Sequence, residues 1–175
     1  MNSACKLLAK CNIKEAQPSF PLLRCSRFLL VLLAASLTRA YAAPPAPSGQ
    51  TAAEIRSVLQ AQQEAWNRGD IDAFMNGYAR SDSIVLISDD TVTRGWQSAL
   101  QRYKIKYRSR AKMGKLRFSD LNIEPLGDNA ALVFGGWALK RATGIVQGHF
   151  TLVFQRLPEG WRIVHDHTST AGGAQ

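Results

Sequence analysis

The sequence predicts an α+β domain, with helices first and an antiparallel sheet after them. Three observations carry this. In Thr51–Asn67, Ile71–Tyr78 and the stretch after Gly95, apolar residues return every three or four positions. From Lys115 to Ser169 they instead alternate or run in β-branched and aromatic stretches, separated by short Gly, Pro, Asn and Asp clusters that suit hairpins. Helices followed by a meander of strands is the layout in which helices cover one face of the sheet.

In the first helix, Ile55, Val58, Leu59, Gln62 and Trp66 share a face, and Asn67-Arg68-Gly69-Asp70 ends it, with Gly69 suited to the left-handed position past the last turn. Asp70 can cap the second helix, Ile71 to Tyr78, where Phe74 and Tyr78 share a face. Ser83 to Ser88 reads as a strand closed by an Asp89-Asp90 turn. Trp96, Leu100, Tyr103 and Tyr107 then repeat at helical spacing. Four strands follow near residues 115–125, 130–141, 145–157 and 161–169. Gly127-Asp128-Asn129, Ala142-Thr143-Gly144 and Pro158-Glu159-Gly160 join them.

The residues before this domain read as a secretory signal. Arg24 and Arg27 precede the apolar run Phe28–Leu37, and Ala40-Tyr41-Ala42 supplies the small-x-small pattern of a cleavage site. The run is short of the ~20 apolar residues a membrane-spanning helix needs. The expected organisation is therefore a signal peptide with a long n-region over residues 1–43 and a Pro-rich linker over 44–50. The folded domain follows over 51–170, then a flexible tail over 171–175. The protein is expected to be exported, periplasmic or secreted, with no stable membrane anchor after cleavage. Arg24 before Cys25 argues against a lipid anchor. Cys5, Cys11 and Cys25 all precede the cleavage site, so the mature domain needs no disulfide.

Charge changes on processing too. The chain has 22 basic and 13 acidic residues, a formal charge of +9. Loss of Lys6, Lys10, Lys14, Arg24, Arg27, Arg39 and Glu15 leaves 16 and 12, a charge of +4. Half of the sixteen lie in one acid-free segment: Arg102, Lys104, Lys106, Arg108, Arg110, Lys112, Lys115 and Arg117. Such a run can attract phosphate backbones, but no nucleic-acid-binding motif accompanies it, and a solvated helix face accounts for it. Nucleic acid is not an expected partner.

Alternation divides each strand into two faces. On the third sheet strand, Val146, Gly148, Phe150, Leu152 and Phe154 form the core face, with Gln147, His149, Thr151 and Val153 opposite. A loop tip at Pro158-Glu159-Gly160 sets Leu157 opposite Trp161, hence Leu152 opposite Asp166 and Phe150 opposite Thr168. Asp166 then points into the apolar face, and His149, His165 and His167 point away. Residues 130–139 are apolar on both faces, with Leu132 and Phe134 on one and Val133 and Trp137 on the other. A strand of this kind is covered twice, and a symmetric homodimer through the sheet is the expected second cover.

Several local motifs carry a family resemblance: Ala65-Trp66-Asn67-Arg68-Gly69-Asp70, Arg94-Gly95-Trp96, Leu126-Gly127-Asp128-Asn129-Ala130-Ala131, and Thr151–Arg156 continuing to Gly160–Ser169. In their order, the chain resembles the SnoaL-like branch of the nuclear transport factor 2-like superfamily. That superfamily shares a cystatin-like cone with ketosteroid isomerase. The last hairpin is similar to that of the calcium/calmodulin-dependent kinase association domain. The resemblance implies N-terminal helices packed on a curved antiparallel sheet, a pocket within the cone, and dimers. It also argues against ketosteroid isomerase chemistry, because the oxyanion-donating tyrosine position falls on Gln62 and the general-base position on Leu86. Leucine cannot take a proton. The kinase domain's pocket arginines fall near Trp137, Leu152 and Thr168, so that anion site is not carried over.

Asp166 is the candidate acid/base, a carboxylate on an apolar face where desolvation raises its pKa; the plainer alternative is a structural Asp bonded to Gln62, Thr168 or backbone. Gln62, Trp66, Tyr78, Trp96, Tyr103, Trp137, Phe150, Leu152 and Thr168 are the candidate pocket residues. His149, His165 and His167 have the residue types for zinc, but they belong to the outer face, so no metal is expected. No Gly-rich phosphate loop or nucleophile elbow occurs, and no cofactor is expected. Three functions remain open: binding of a small, largely apolar ligand; a cofactor-independent isomerase, cyclase or hydrolase of SnoaL-like type using Asp166; and an interaction module with a vestigial cavity.

Overall fold

The computed structural model describes residues 48–172. The expected signal, most of the linker and the last three residues of the tail lie outside the described residues. The order of elements is α1 (Ser48–Arg68), α2 (Ile71–Met75), β1 (Val85–Ser88), β2 (Thr91–Arg94), α3 (Trp96–Lys106), α4 (Arg110–Met113), β3 (Lys115–Pro125), β4 (Ala130–Arg141), β5 (Gly144–Leu157) and β6 (Gly160–Thr170). The six strands form one sheet in the order β2-β1-β6-β5-β4-β3. It is antiparallel except for β1 beside β6, which run parallel. The predicted α+β class and curved sheet are present, and the sheet does not close on itself. The β2 strand and the parallel pairing were not anticipated, since Thr91–Arg94 is a short edge strand with little apolar signal.

The α1–α2 hairpin is made by its turn chemistry. Gly69 takes φ 87°, its N–H donates to the Trp66 carbonyl, and the Asp70 N–H donates to the Ala65 carbonyl, both at 2.9 Å. This pair of bonds satisfies carbonyls that the helix end would otherwise leave open, and only glycine adopts that backbone without strain. The Asp70 carboxylate then accepts from Ala73 N at 2.9 Å, capping α2.

Helix α1 also closes one edge of the sheet. Asn67 Oδ1 accepts from Leu116 N at 2.8 Å while its Nδ2 donates to Leu116 O at 3.0 Å, and Gln63 Oε1 accepts from Phe118 N at 2.7 Å. Polar side chains of the helix thus occupy β3 backbone groups that an unprotected edge would offer to another chain. A bulge between Ser119 and Asn122, with Asp120 at φ 53°, bends β3 around the helix.

The core lies between the helices and the concave sheet face. Trp66 anchors it from α1, 2% exposed, with its indole N–H donating to the Met113 carbonyl at 3.3 Å. Its ring meets Phe74 at 5.1 Å and Tyr107 at 4.6 Å, both edge-on. Each such pair contributes about 0.5–1.5 kcal/mol beyond its buried area, so one side chain ties α1, α2, α3 and α4 together.

The last hairpin differs from expectation at its tip. Leu157 pairs with Gly160, not Trp161, which leaves a two-residue turn at Pro158-Glu159. A bulge at Val164 then restores the register, with Phe154 opposite Ile163 but Val153 opposite His165. Beyond it Leu152 stands opposite Asp166 and Phe150 opposite Thr168, as the sequence predicts. Without the extra residue, strict alternation from Trp161 and Ile163 would turn His165 and His167 inward and Asp166 outward.

Candidate functional site

Side chains from both layers enclose a cavity of about 100 Å³ in the cone. Its floor and walls follow the rows of the sheet. Val133, Leu152, Asp166 and Leu86 form one cross-strand row; Gly135, Phe150, Thr168 and Ser88 form the next; Trp137, Gly148 and Thr170 the one after. Gly135 has no side chain because Phe150 and Leu121 fill the space a Cβ would need. Helices α1, α2 and α3 close the cavity with Gln62, Trp66, Phe74, Tyr103 and Lys106, and Tyr78 and Tyr107 join them from the segments just after α2 and α3.

Asp166 is the buried carboxylate of this cavity, 5% exposed. Tyr78 donates its phenol proton to Oδ2 at 2.7 Å, and Thr168 donates its hydroxyl to Oδ1 at 2.7 Å. Burial pushes the Asp166 pKa up, against the opposing pull of the Thr168 and Tyr78 hydrogen bonds and of His165 and His167. Tyr78 is itself driven well above the ordinary phenol value, first by burial and then by the Asp166 charge. Tyr103 is raised for the same two reasons. Burial in an aromatic enclosure thus shifts a carboxyl and two phenols in the same direction, toward holding their protons to higher pH.

Of the residues singled out in the sequence, Gln62, Trp66, Tyr78, Tyr103, Trp137, Phe150, Leu152, Asp166 and Thr168 all line the cavity. Trp96 does not. Its indole N–H donates to the Met75 carbonyl at 3.0 Å and Arg80 stacks over its ring at 4.5 Å, which uses it as a brace between α3 and α2. Gln62 is buried, but its amide donates to the Phe74 carbonyl at 3.1 Å, and Asp166 takes its hydrogen bonds from Tyr78 and Thr168. Leu86 is buried in the same row as Asp166.

Sequence reasoning missed Lys106, Tyr107, Leu139, Asp89 and Thr170 at the site. Two of these had a readable signal: Tyr107 lies four residues after Tyr103, and Leu139 lies two after Trp137 on the same strand face. Asp89 had none, because its place depends on a turn. It adopts φ 53° after β1, and its Oδ1 accepts from Thr170 N at 2.8 Å across the sheet.

The histidines stand on the other face. His149 stacks on Phe134 with centroids 5.5 Å apart and planes 14° from parallel. Among the described residues no group of His, Cys, Asp and Glu is placed to hold a metal ion. Phe134 is 46% exposed, so the described residues leave the second face of β4 partly uncovered.

The architecture and sequence agree with one family. Residues 55–172 match the SnoaL-like domain. No curated protein matches the chain. An NTF-2 like protein of unknown function from Shewanella oneidensis shares 39% identity, over 67% of this chain and 98% of that one, with a TM-score of 0.65. A nuclear transport factor 2-like superfamily protein from Salmonella enterica is 20% identical, over 74% and 95%, with a TM-score of 0.58. A ketosteroid isomerase-like protein from Erwinia carotovora atroseptica is 18% identical, over 69% and 96%, with a TM-score of 0.55, a likeness of fold alone. The chain belongs to the SnoaL-like family of the nuclear transport factor 2-like superfamily.

Proposed function

We propose that this protein is an exported, dimeric SnoaL-like domain that binds a small, largely apolar ligand in its cone. The observation that carries the reading is the aromatic cavity closed around a buried Asp166–Tyr78 pair. An apolar enclosure with a few convergent polar groups is the usual form of a ligand site, the polar groups fixing orientation. Export rests on the signal-like residues 24–43 and dimerisation on the uncovered Phe134 face. Native mass spectrometry of protein recovered from the periplasm or medium tests all three parts: it should show a dimer beginning near Ala43 with a co-purified small molecule. A ligand-free monomer with its N-terminus intact would contradict each part separately.

The raised pKa of Asp166 favours a second reading, a cofactor-independent isomerase, cyclase or hydrolase in which Asp166 moves a proton. Asp166→Asn separates the two, since it should abolish turnover in an enzyme while a binding protein keeps its ligand.

A further inference from the structure

One cation, Lys106, stands in the cavity lining, with Arg102 and Arg141 near it. Lys106, the last residue of α3, lines the cavity with its Nζ 5.5 Å from the centre of the Tyr107 ring. Arg102 lies one turn earlier on the same helix face, its Nη1 held by Thr93 Oγ1 at 2.6 Å. Arg141 continues the inward face of β4 after Trp137 and Leu139, with its stem against Gly114. The buried Nε of Arg141 has no acceptor among the described residues. Ion pairs among the described residues join Lys104 to Asp72 and Arg156 to Glu54, so none of these three cations is neutralised by one.

Asp89 is the opposing charge. It lines the cavity too, but both of its oxygens are engaged by Thr170, through N at 2.8 Å and Oγ1 at 3.2 Å. The crowding of cations is felt by Lys106, whose pKa is held below its ordinary value by burial and then by Arg102 and Arg141, against Asp89. An anion arriving at the mouth would relieve that repulsion.

We infer that the ligand is an amphipathic carboxylic acid, with a ring body among Trp66, Tyr103, Trp137 and Phe150 and its carboxylate at the mouth beside Lys106 and Arg141. This rests on the ligand-binding reading above. The size suits a single-ring body: 100 Å³ is room for roughly seven to ten non-hydrogen atoms, taking about 10–15 Å³ per water-sized site. The length agrees as well, since the Asp166 and Thr170 rows are four residues apart, ~13 Å along the strand.

The test is a titration of the purified full chain, followed by tryptophan fluorescence, with 3-phenylpropionate and its neutral isostere 3-phenylpropionamide. At low salt the acid should bind about tenfold more tightly, the scale of a charge-assisted contact. Lys106→Ala should remove most of that preference for acid over amide, and Arg141→Gln part of it. Equal affinity for acid and amide would overturn the anion proposal and leave the cavity reading standing. No response to either probe at millimolar concentration would overturn both. Phosphatidylglycerol vesicles distinguish a lipid headgroup from a free acid. If vesicle binding is lost in Lys106→Ala while the soluble acid shows no preference, the mouth belongs to a membrane lipid and the free-acid proposal fails.

Discussion

The phenol of Tyr78 donates to Asp166 Oδ2 at 2.7 Å across 88 positions of sequence. This bond joins the segment after α2 to the centre of the sheet, next to the isolated parallel bridge between Tyr78 and Ile163. It also keeps a carboxyl within an aromatic cavity that would otherwise exclude one, because burying such a group without a partner is costly.

Stability should depend on pH through Asp166. Its folded-state pKa is raised above the ordinary 3.8, so between 3.8 and that raised value the folded state holds a proton that the unfolded chain has lost. The contribution to stability is therefore greatest below 3.8, declines as pH rises through that window, and is flat above it. Urea denaturation of the wild type and Asp166→Asn across pH 3 to 8 should show this slope in the first protein and its loss in the second. Parallel profiles would show that Asp166 ionises normally.

Tyr78→Phe keeps the ring and deletes the donor. Asp166 Oδ2 is then buried one bond short, and the expected loss is about 1–3 kcal/mol in chemical denaturation. Since the Tyr78 bond opposes the rise in the Asp166 pKa, the variant should also extend the pH window upward. A stability loss with no movement of the window would assign Tyr78 a packing role alone.

Alkaline titration reads the other side of the pair. Tyr78, Tyr103 and Tyr107 all have raised pKa values, each chiefly through burial. They keep their protons after an unfolded chain would lose them, so stability falls as pH rises beyond the ordinary phenol value of 10.0. Absorbance at 295 nm should show most phenolate appearing together with loss of far-ultraviolet dichroism. Reversible ionisation of all tyrosines in the folded protein would contradict the enclosed cavity.

Gly148→Ala tests the rim. A Cβ there would collide with the Ser169 carbonyl on β6, and backbone cannot move aside as a flexible side chain can. The expected cost is about 1–3 kcal/mol, with weaker probe binding, since Gly148 stands in the row of Trp137 and Thr170. The melting temperature and a 3-phenylpropionate titration measure the two effects.

Much of this was legible locally. Helical spacing marks the Gln62–Trp66 and Tyr103–Tyr107 stripes, Gly69-Asp70 marks the hairpin, and strict alternation from Val146 to Phe154 identifies the core face. These signals survive because each depends on residues a few positions apart. Trp96 shows where they stop: its period places it on the stripe of Tyr103, yet its indole turns to the Met75 carbonyl, a choice made by what packs above it.

By itself the sequence determined the class, the order of elements and the apolar faces, because periodicity and turn chemistry are properties of neighbouring residues. Tertiary structure decided which residues meet. The inward direction of Asp166 depends on a two-residue turn and the compensating bulge at Val164, where a shift of one residue reverses every side chain. The meeting of Lys106 and Asp89 in one cavity depends on how α3 and the β1–β2 turn pack, which no local spacing encodes.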